Sequence, residues 1–188
     1  MNLQRKVGYS VRRKLNSIFT NETLWGTPFT VLNRADWGPL FSQARPFIFI
    51  VAEGIASDFR MIHAPIVIIE TARDVMSIGL GGERASVIQV SLHLFARSTP
   101  ERNDIQDAIV DNFLVTVGSR SVPGLELYDV DGKGEEEKFA DVPLILTEGL
   151  YWTESSILIS PFAPYDKSGS PERFQGCILS TAILTPTY

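Results

Sequence analysis

Cysteine is nearly absent from this chain: among 188 residues there is one, Cys177. A single thiol closes no internal disulfide, so the fold does not depend on an oxidising compartment. Long apolar runs are missing as well. The cleanest, residues 46–52 and 65–69, are strand-sized and fall far short of the roughly 20 residues that cross a bilayer. Residues 1–20 contain no continuous apolar stretch of the kind that opens a secretory leader, so the expected place of synthesis is the cytoplasm. Histidine is scarce. His63 and His93, with one distant cysteine, offer no metal-ligand spacing. No G-x-S-x-G elbow is present to activate a serine. Neither a metal nor a cofactor is expected, and no catalytic residue stands out.

Acidic residues are missing from one place only. Residues 1–20 carry Arg5, Lys6, Arg12, Arg13 and Lys14 and no acid, whereas the other 168 residues hold 12 basic and 22 acidic groups. The net charge of −5 therefore describes a basic N-terminal arm on an acidic body. Such a body is a poor wrapper of nucleic acid, because phosphate binding wants a basic face. With hydrophobic residues at 44% and charged residues at 21%, the composition fits a globular domain rather than a disordered chain. A single domain over residues 1–188 is expected, with enough length to bury a core.

Periodicity supplies the elements. Leu3, Val7, Val11, Leu15 and Ile18 recur at helical spacing, which predicts an amphipathic basic helix within residues 1–22. From Pro28 the pattern turns to strands, over residues 29–32, 46–52 and 65–71. Ile66, Val67, Ile68 and Ile69 stand in a row, which predicts burial on both faces or a covered edge. Asp36-Trp37-Gly38-Pro39 and Gly79-Leu80-Gly81-Gly82 read as turns. After the second turn, Ile88, Val90, Leu92, Leu94 and Ala96 alternate with Gln89, Ser91, His93 and Arg97. That period of two predicts an antiparallel strand with one dry and one wetter face. Ser98-Thr99-Pro100-Glu101 has the capping-box form and opens a helix expected to run to Gly118. Its apolar stripe is Ile105, Ala108, Ile109 and Phe113; Asp104, Asp107 and Asp111 lie opposite. Residues 119–172 read as an irregular, loop-rich insertion with strand candidates at 125–130, 142–147 and 156–160. A charged loop at 131–138 and an extended Pro/Ser/Gly segment at 161–171 complete it. A last strand is expected at 174–184. The fold class is α+β: an antiparallel β-sheet packed against one long helix, with an additional N-terminal amphipathic helix.

Several motifs point at chemistry and are weaker than their structural alternatives. Asp129, Asp131 and Gly134 match the first positions of a calcium loop. Lys133 and Ala140 stand where ligands are required, so a solvated acidic loop is the stronger reading. Gly79, Gly81 and Gly82 precede a strand, not the helix a dinucleotide needs, so a hairpin is the stronger reading. The three helical aspartates oppose an apolar stripe. They suit a solvated face, or one meeting a neighbouring subunit, better than paired-carboxylate catalysis.

One block resembles a known family. The strand over residues 86–97 runs straight into the capped helix, where Arg102, Asp104 and Ile105 give an R-x-D-Ile pattern. This resembles the strand-then-helix block of small tail-terminator and neck (head-tail joining) proteins of tailed phages. The resemblance spans roughly residues 46–118 and the last strand, and residues 119–172 are longer and more irregular than the family pattern. It implies a non-enzymatic virion protein: a homo-oligomeric, usually hexameric ring that caps the tail tube and joins it to the head connector. The implied partners are the tail tube protein, the neck proteins, and DNA passing through the lumen without sequence-specific binding; no membrane is implied. Candidate subunit-interface residues are Asp104, Asp107, Asp111, Gly81, Glu83, Arg84, Arg97 and Arg102. A head-completion or adaptor protein of the same neck is the alternative. A small hydrolase, and an adaptor binding DNA or membrane through the basic helix, are weaker ones.

Overall fold

A computed structural model describes residues 3–32, 46–52, 65–78, 83–117, 119–123, 125, 128–130, 136–138, 158–162 and 175–187. The fold is α+β, with helices on a mixed sheet. Helix α1 spans Leu3–Phe19, and the one-turn helix α2 spans Glu22–Trp25. Strands β1 (Thr30–Leu32), β2 (Phe47–Ala52), β3 (Ile66–Ile78) and β4 (Glu83–Ala96) form a four-stranded sheet in chain order. Helix α3 follows at Thr99–Asn112. Two small ladders come next: β5 (Leu114–Val117) with β6 (Arg120–Pro123), and β7 (Tyr128–Val130) with β8 (Glu136–Lys138). Strands β9 (Leu158–Phe162) and β10 (Gln175–Thr187) extend the main sheet past β4, in the order β4-β10-β9.

The expected antiparallel sheet is corrected to a mixed one. β1 pairs with β2, and β2 with β3, in parallel. The remaining pairs, β3 with β4, β4 with β10 and β10 with β9, are antiparallel. A parallel return needs a crossover of roughly a dozen residues, and residues 33–46 and 53–65 have that length. The turn Asp36–Pro39, Gly79–Gly82, His63, the strand candidate at 142–147, most of the extended segment at 163–171 and the loop at 131–135 lie outside the described residues. Residues 136–138, expected as loop, form β8, and residues 161–162 end β9.

The main core lies between the helices and one face of the sheet. From α1 come Val7, Val11, Leu15, Ile18 and Phe19, and from α3 come Ile105, Ala108 and Ile109, with Phe113 just beyond. From the sheet come Ile48, Ile50, Val67, Ile69, Ile88, Val90, Leu92 and Leu94. The basic N-terminal segment is therefore a core element and not an arm. The amphipathic spacing that predicted a helix also dictates this docking, since its apolar stripe must be buried somewhere. The other face of the sheet is apolar at one end, where Phe49, Ile66, Ile68 and Phe95 are buried and Leu32 and Phe47 pack beside them. All four residues of the run 66–69 are thus buried, as expected of an interior strand with both faces covered.

Local contacts end all three described helices. α1 ends in an aromatic corner: Phe19, Trp25 and Phe29 meet with ring centroids 4.8–6.0 Å apart. Trp25 Nε1 donates to the Ile18 carbonyl at 2.9 Å. Asn21 caps α2 through its Oδ1, which accepts from the N–H groups of Thr23 and Leu24. Gly26 closes α2 at φ +67°, a left-handed conformation suited to glycine. α3 stops at Asn112, earlier than the expected Gly118. Phe113 is buried in the core, and Leu114-Val115-Thr116-Val117 behind it, rich in β-branched residues, pairs as a strand.

Candidate interaction surface

The junction between β4 and α3 is a compact polar knot. β4 ends at Ala96, and Ser98, in extended backbone, caps the helix by accepting the Glu101 N–H at 3.3 Å. In the usual capping box the N3 carboxylate reaches back to the cap residue. Here Glu101 reaches one residue further, accepting the Arg97 N–H at 2.7 Å. The same carboxylate accepts from the Arg97 guanidinium, Nη2 to Oε1 at 2.6 Å and Nε to Oε1 at 3.1 Å. The guanidinium also lies over the Phe47 ring, 5.8 Å from its centroid. Arg97 is thus held within its own subunit, although its side chain is 55% exposed. Fork-on-carboxylate geometry is the stronger kind of ion pair, yet exposure limits its worth to about 1 kcal/mol or less.

Beyond the knot, α3 buries Ile105, Ala108 and Ile109 against the sheet. The opposite side is solvent-facing. Asp104, Asp107 and Asp111 are all exposed there, with Asn103 beside them. The helical period that buries one stripe forces this, since positions 104, 107 and 111 fall on one face. Arg102 is half-buried, and its guanidinium donates to Asn103 Oδ1 at 2.9 Å. Of the other candidate interface residues, Glu83 and Arg84 open β4, where Glu83 pairs with Ile78, and Arg84 with Ser77 and Thr187. Gly81 lies outside the described residues. The seven described candidates therefore divide between the outer side of α3, its capped entry, and the far end of the paired β3 and β4.

Three contacts were not visible in sequence. On the sheet face away from the helices, His93 Nε2 lies 2.8 Å from Glu70 Oε2. The register explains it: His93 is opposite Ile68 and Glu70 opposite Ser91, so the two side chains are diagonal neighbours on one face. The wetter parity of β4 hinted at the histidine; the register could not be read. The second group ties α1 to the segment after α3. Buried Ser10 accepts the Tyr128 N–H at 2.8 Å, and the Arg13 guanidinium lies 4.3 Å from the Tyr128 ring centroid. In the third, Lys14 Nζ donates to the Leu114 carbonyl at 3.0 Å. Among the described side chains of the basic N-terminal segment, Arg13 and Lys14 are therefore engaged within the subunit.

Among the described residues, no three His, Cys, Asp or Glu side chains converge as metal ligands. No helix among them is long and apolar enough to cross a membrane. Cys177 lies in β10, opposite Leu94 of β4. Asp129 and Val130, the start of the calcium-loop match, lie in β7. No protein-family model matches the chain, and no curated protein matches it.

Proposed function

We propose that the chain is a non-enzymatic structural subunit of a phage neck, most specifically a tail terminator. Its copies close into a ring, usually of six, that caps the tail tube and joins the head connector. The observation that carries this reading is the β4–α3 block. A long strand runs through a polar, Arg-bearing turn into a Ser-capped helix carrying Arg102, Asp104 and Ile105, and that helix turns a row of aspartates outward. A row of exposed like charges on a well-packed helix suits an assembly surface. The acidic balance of residues 21–188 suits a lumen through which DNA slides without being held. Subunit contacts in such a ring are heterologous and closed by rotation. The outer face of α3, the edges of the sheet, and residues 79–84 and 131–138 are the surfaces assigned to them.

Light scattering of the full chain over a wide concentration range tests this. The expected mass is about 125 kDa, six times the 20.9 kDa subunit. A monomer at every concentration removes the self-standing ring. Asp104→Lys or Asp107→Lys reverses a charge on the exposed face without touching the core. Either is expected to lower the fraction assembled, and normal ring formation by both removes α3 from the contact.

A further inference from the structure

Strands β3, β4 and β10 are 13, 14 and 13 residues long, far longer than their neighbours. β2 lies beside β3 only over the pairs Phe49↔Ile66 to Ala52↔Ile69. β9 lies beside β10 only over Gly176↔Phe162 to Ser180↔Leu158. Beyond those pairs, among the described residues, β3, β4 and β10 continue as a three-stranded ribbon, to Ile78↔Glu83 on one side and Thr187↔Arg84 on the other. Among the described residues, no strand flanks residues 70–78 of β3 or 181–187 of β10.

The two ribbon edges differ in composition. β3 carries Glu70, Arg73 and Asp74 over that stretch, whereas β10 carries no charged residue along its whole length. Native sheets guard edges with charge, proline or short strands, because an unguarded edge pairs with other chains. β10 has only Pro186, near its end, as such a guard. The edges also match in direction. Both strands are antiparallel to β4, so β3 and β10 run parallel to each other at the same height, with Ala72 and Ala182 both opposite Gln89. One edge of the ribbon is therefore a parallel complement for the other edge of a second copy. Because the edges are different strands, that contact is heterologous, the kind that generates rings.

We infer that the distal half of β10 pairs with the distal half of β3 of the next copy, so that the sheet continues from subunit to subunit. This rests on the ring reading and names the backbone contact that builds the ring. The test is disulfide trapping in full-length chains carrying Cys177→Ser. One set of chains carries Ala72→Cys, Asp74→Cys or Met76→Cys, and the other carries Ala182→Cys or Leu184→Cys. With Cys177 replaced, each chain carries a single cysteine, so any disulfide is intermolecular.

Oxidised mixtures of the two sets are expected to give covalent dimers, while each set alone stays uncrosslinked. Slower amide exchange over residues 181–185 as concentration rises from monomer to ring is the second expected result, and it needs no substitution. Dimers formed by Ala182→Cys chains alone would assign β10 to a symmetric β10–β10 contact and overturn the inference. A ring by light scattering with no cross-link from any mixture and no exchange change overturns the inference and leaves the ring. A chain monomeric at every concentration overturns both.

Discussion

Leu15 decides whether the N-terminal helix is an arm or a wall of the core. Its side chain is completely buried, between Val11 and Ile18 on α1 and the sheet residues of the main core. Leu15→Ala removes three carbons from that interior. At about 0.8 kcal/mol per buried methylene, transfer alone costs about 2.5 kcal/mol. The cavity left behind adds more, for a total of about 3–4 kcal/mol. That is a large share of the roughly 5–15 kcal/mol that holds a domain together. At about 2–4 °C per kcal/mol for a chain of this size, the expected fall in Tm is on the order of 10 °C. Urea unfolding followed by circular dichroism measures it directly, with Asn16→Ala, on the exposed side of the same helix, as control. The control is expected within about 0.5 kcal/mol of the native chain. A loss below about 1 kcal/mol for Leu15→Ala, with an unchanged denaturant slope, would refute the placement of α1 in the core.

Three further outcomes follow from the geometry. Ser98→Ala deletes the cap of α3 and is expected to cost about 1 kcal/mol in urea unfolding, whereas Ser98→Asp, which keeps an acceptor, stays close to the native value. Ser10→Ala leaves the Tyr128 N–H without its acceptor; a loss of about 1–3 kcal/mol is expected, with faster amide exchange at Tyr128, and unchanged exchange there counts against the tie. Binding to duplex DNA, followed by fluorescence anisotropy between 50 and 200 mM salt, is expected to show a log–log slope no steeper than about −2.7. Arg13 and Lys14 are engaged internally and at most three basic groups of the segment then meet phosphates. A slope near −4.5, matching all five, would mean that Arg13 and Lys14 give up their internal contacts to bind DNA.

The elements that were legible in sequence are those whose signal is local. The spacing of Val7, Val11, Leu15 and Ile18 is a helix stripe, and α1 buries all four. The alternation over residues 88–94 placed Ile88, Val90, Leu92 and Leu94 inside and Gln89 outside, and the structure agrees. The capping box set the start of α3, because Ser98 and Glu101 act within one turn. The end of α3 was less legible, since Val115 and Val117 continue an apolar pattern that helix and strand share. Only the burial of Phe113 and the pairing of Leu114 with Pro123 separate the two. The antiparallel pairing of β4 was legible from its period of two, whereas the parallel pairing of β1 with β2 and of β2 with β3 was not. A short apolar run such as residues 47–52 looks the same whether its neighbour is parallel or antiparallel, and the long connections either side were the one available clue. On the candidate surface, the exposure of Asp104, Asp107 and Asp111 followed from the helical period. The capture of Arg97 by Glu101 and Phe47 did not, because Phe47 lies on another strand.

The charge split of the sequence acquires a different meaning once the helix is docked. Five cations stand on an acid-free segment whose apolar stripe is sealed into the core, and the helix cannot leave without exposing that stripe. Its cations then do local work. Lys14 occupies a carbonyl of β5, which continues directly from α3, and Arg13 covers the aromatic ring at the start of β7. Together with Ser10 they bind the chain after α3 to the first helix, across more than a hundred residues of sequence at the longest tie. The basic segment thus braces the chain after α3 at Leu114 and Tyr128. On α3, by contrast, Asp104, Asp107 and Asp111 stand exposed on one face. An interface built there would be acidic, and its complement must be sought in cations or backbone donors of a neighbour.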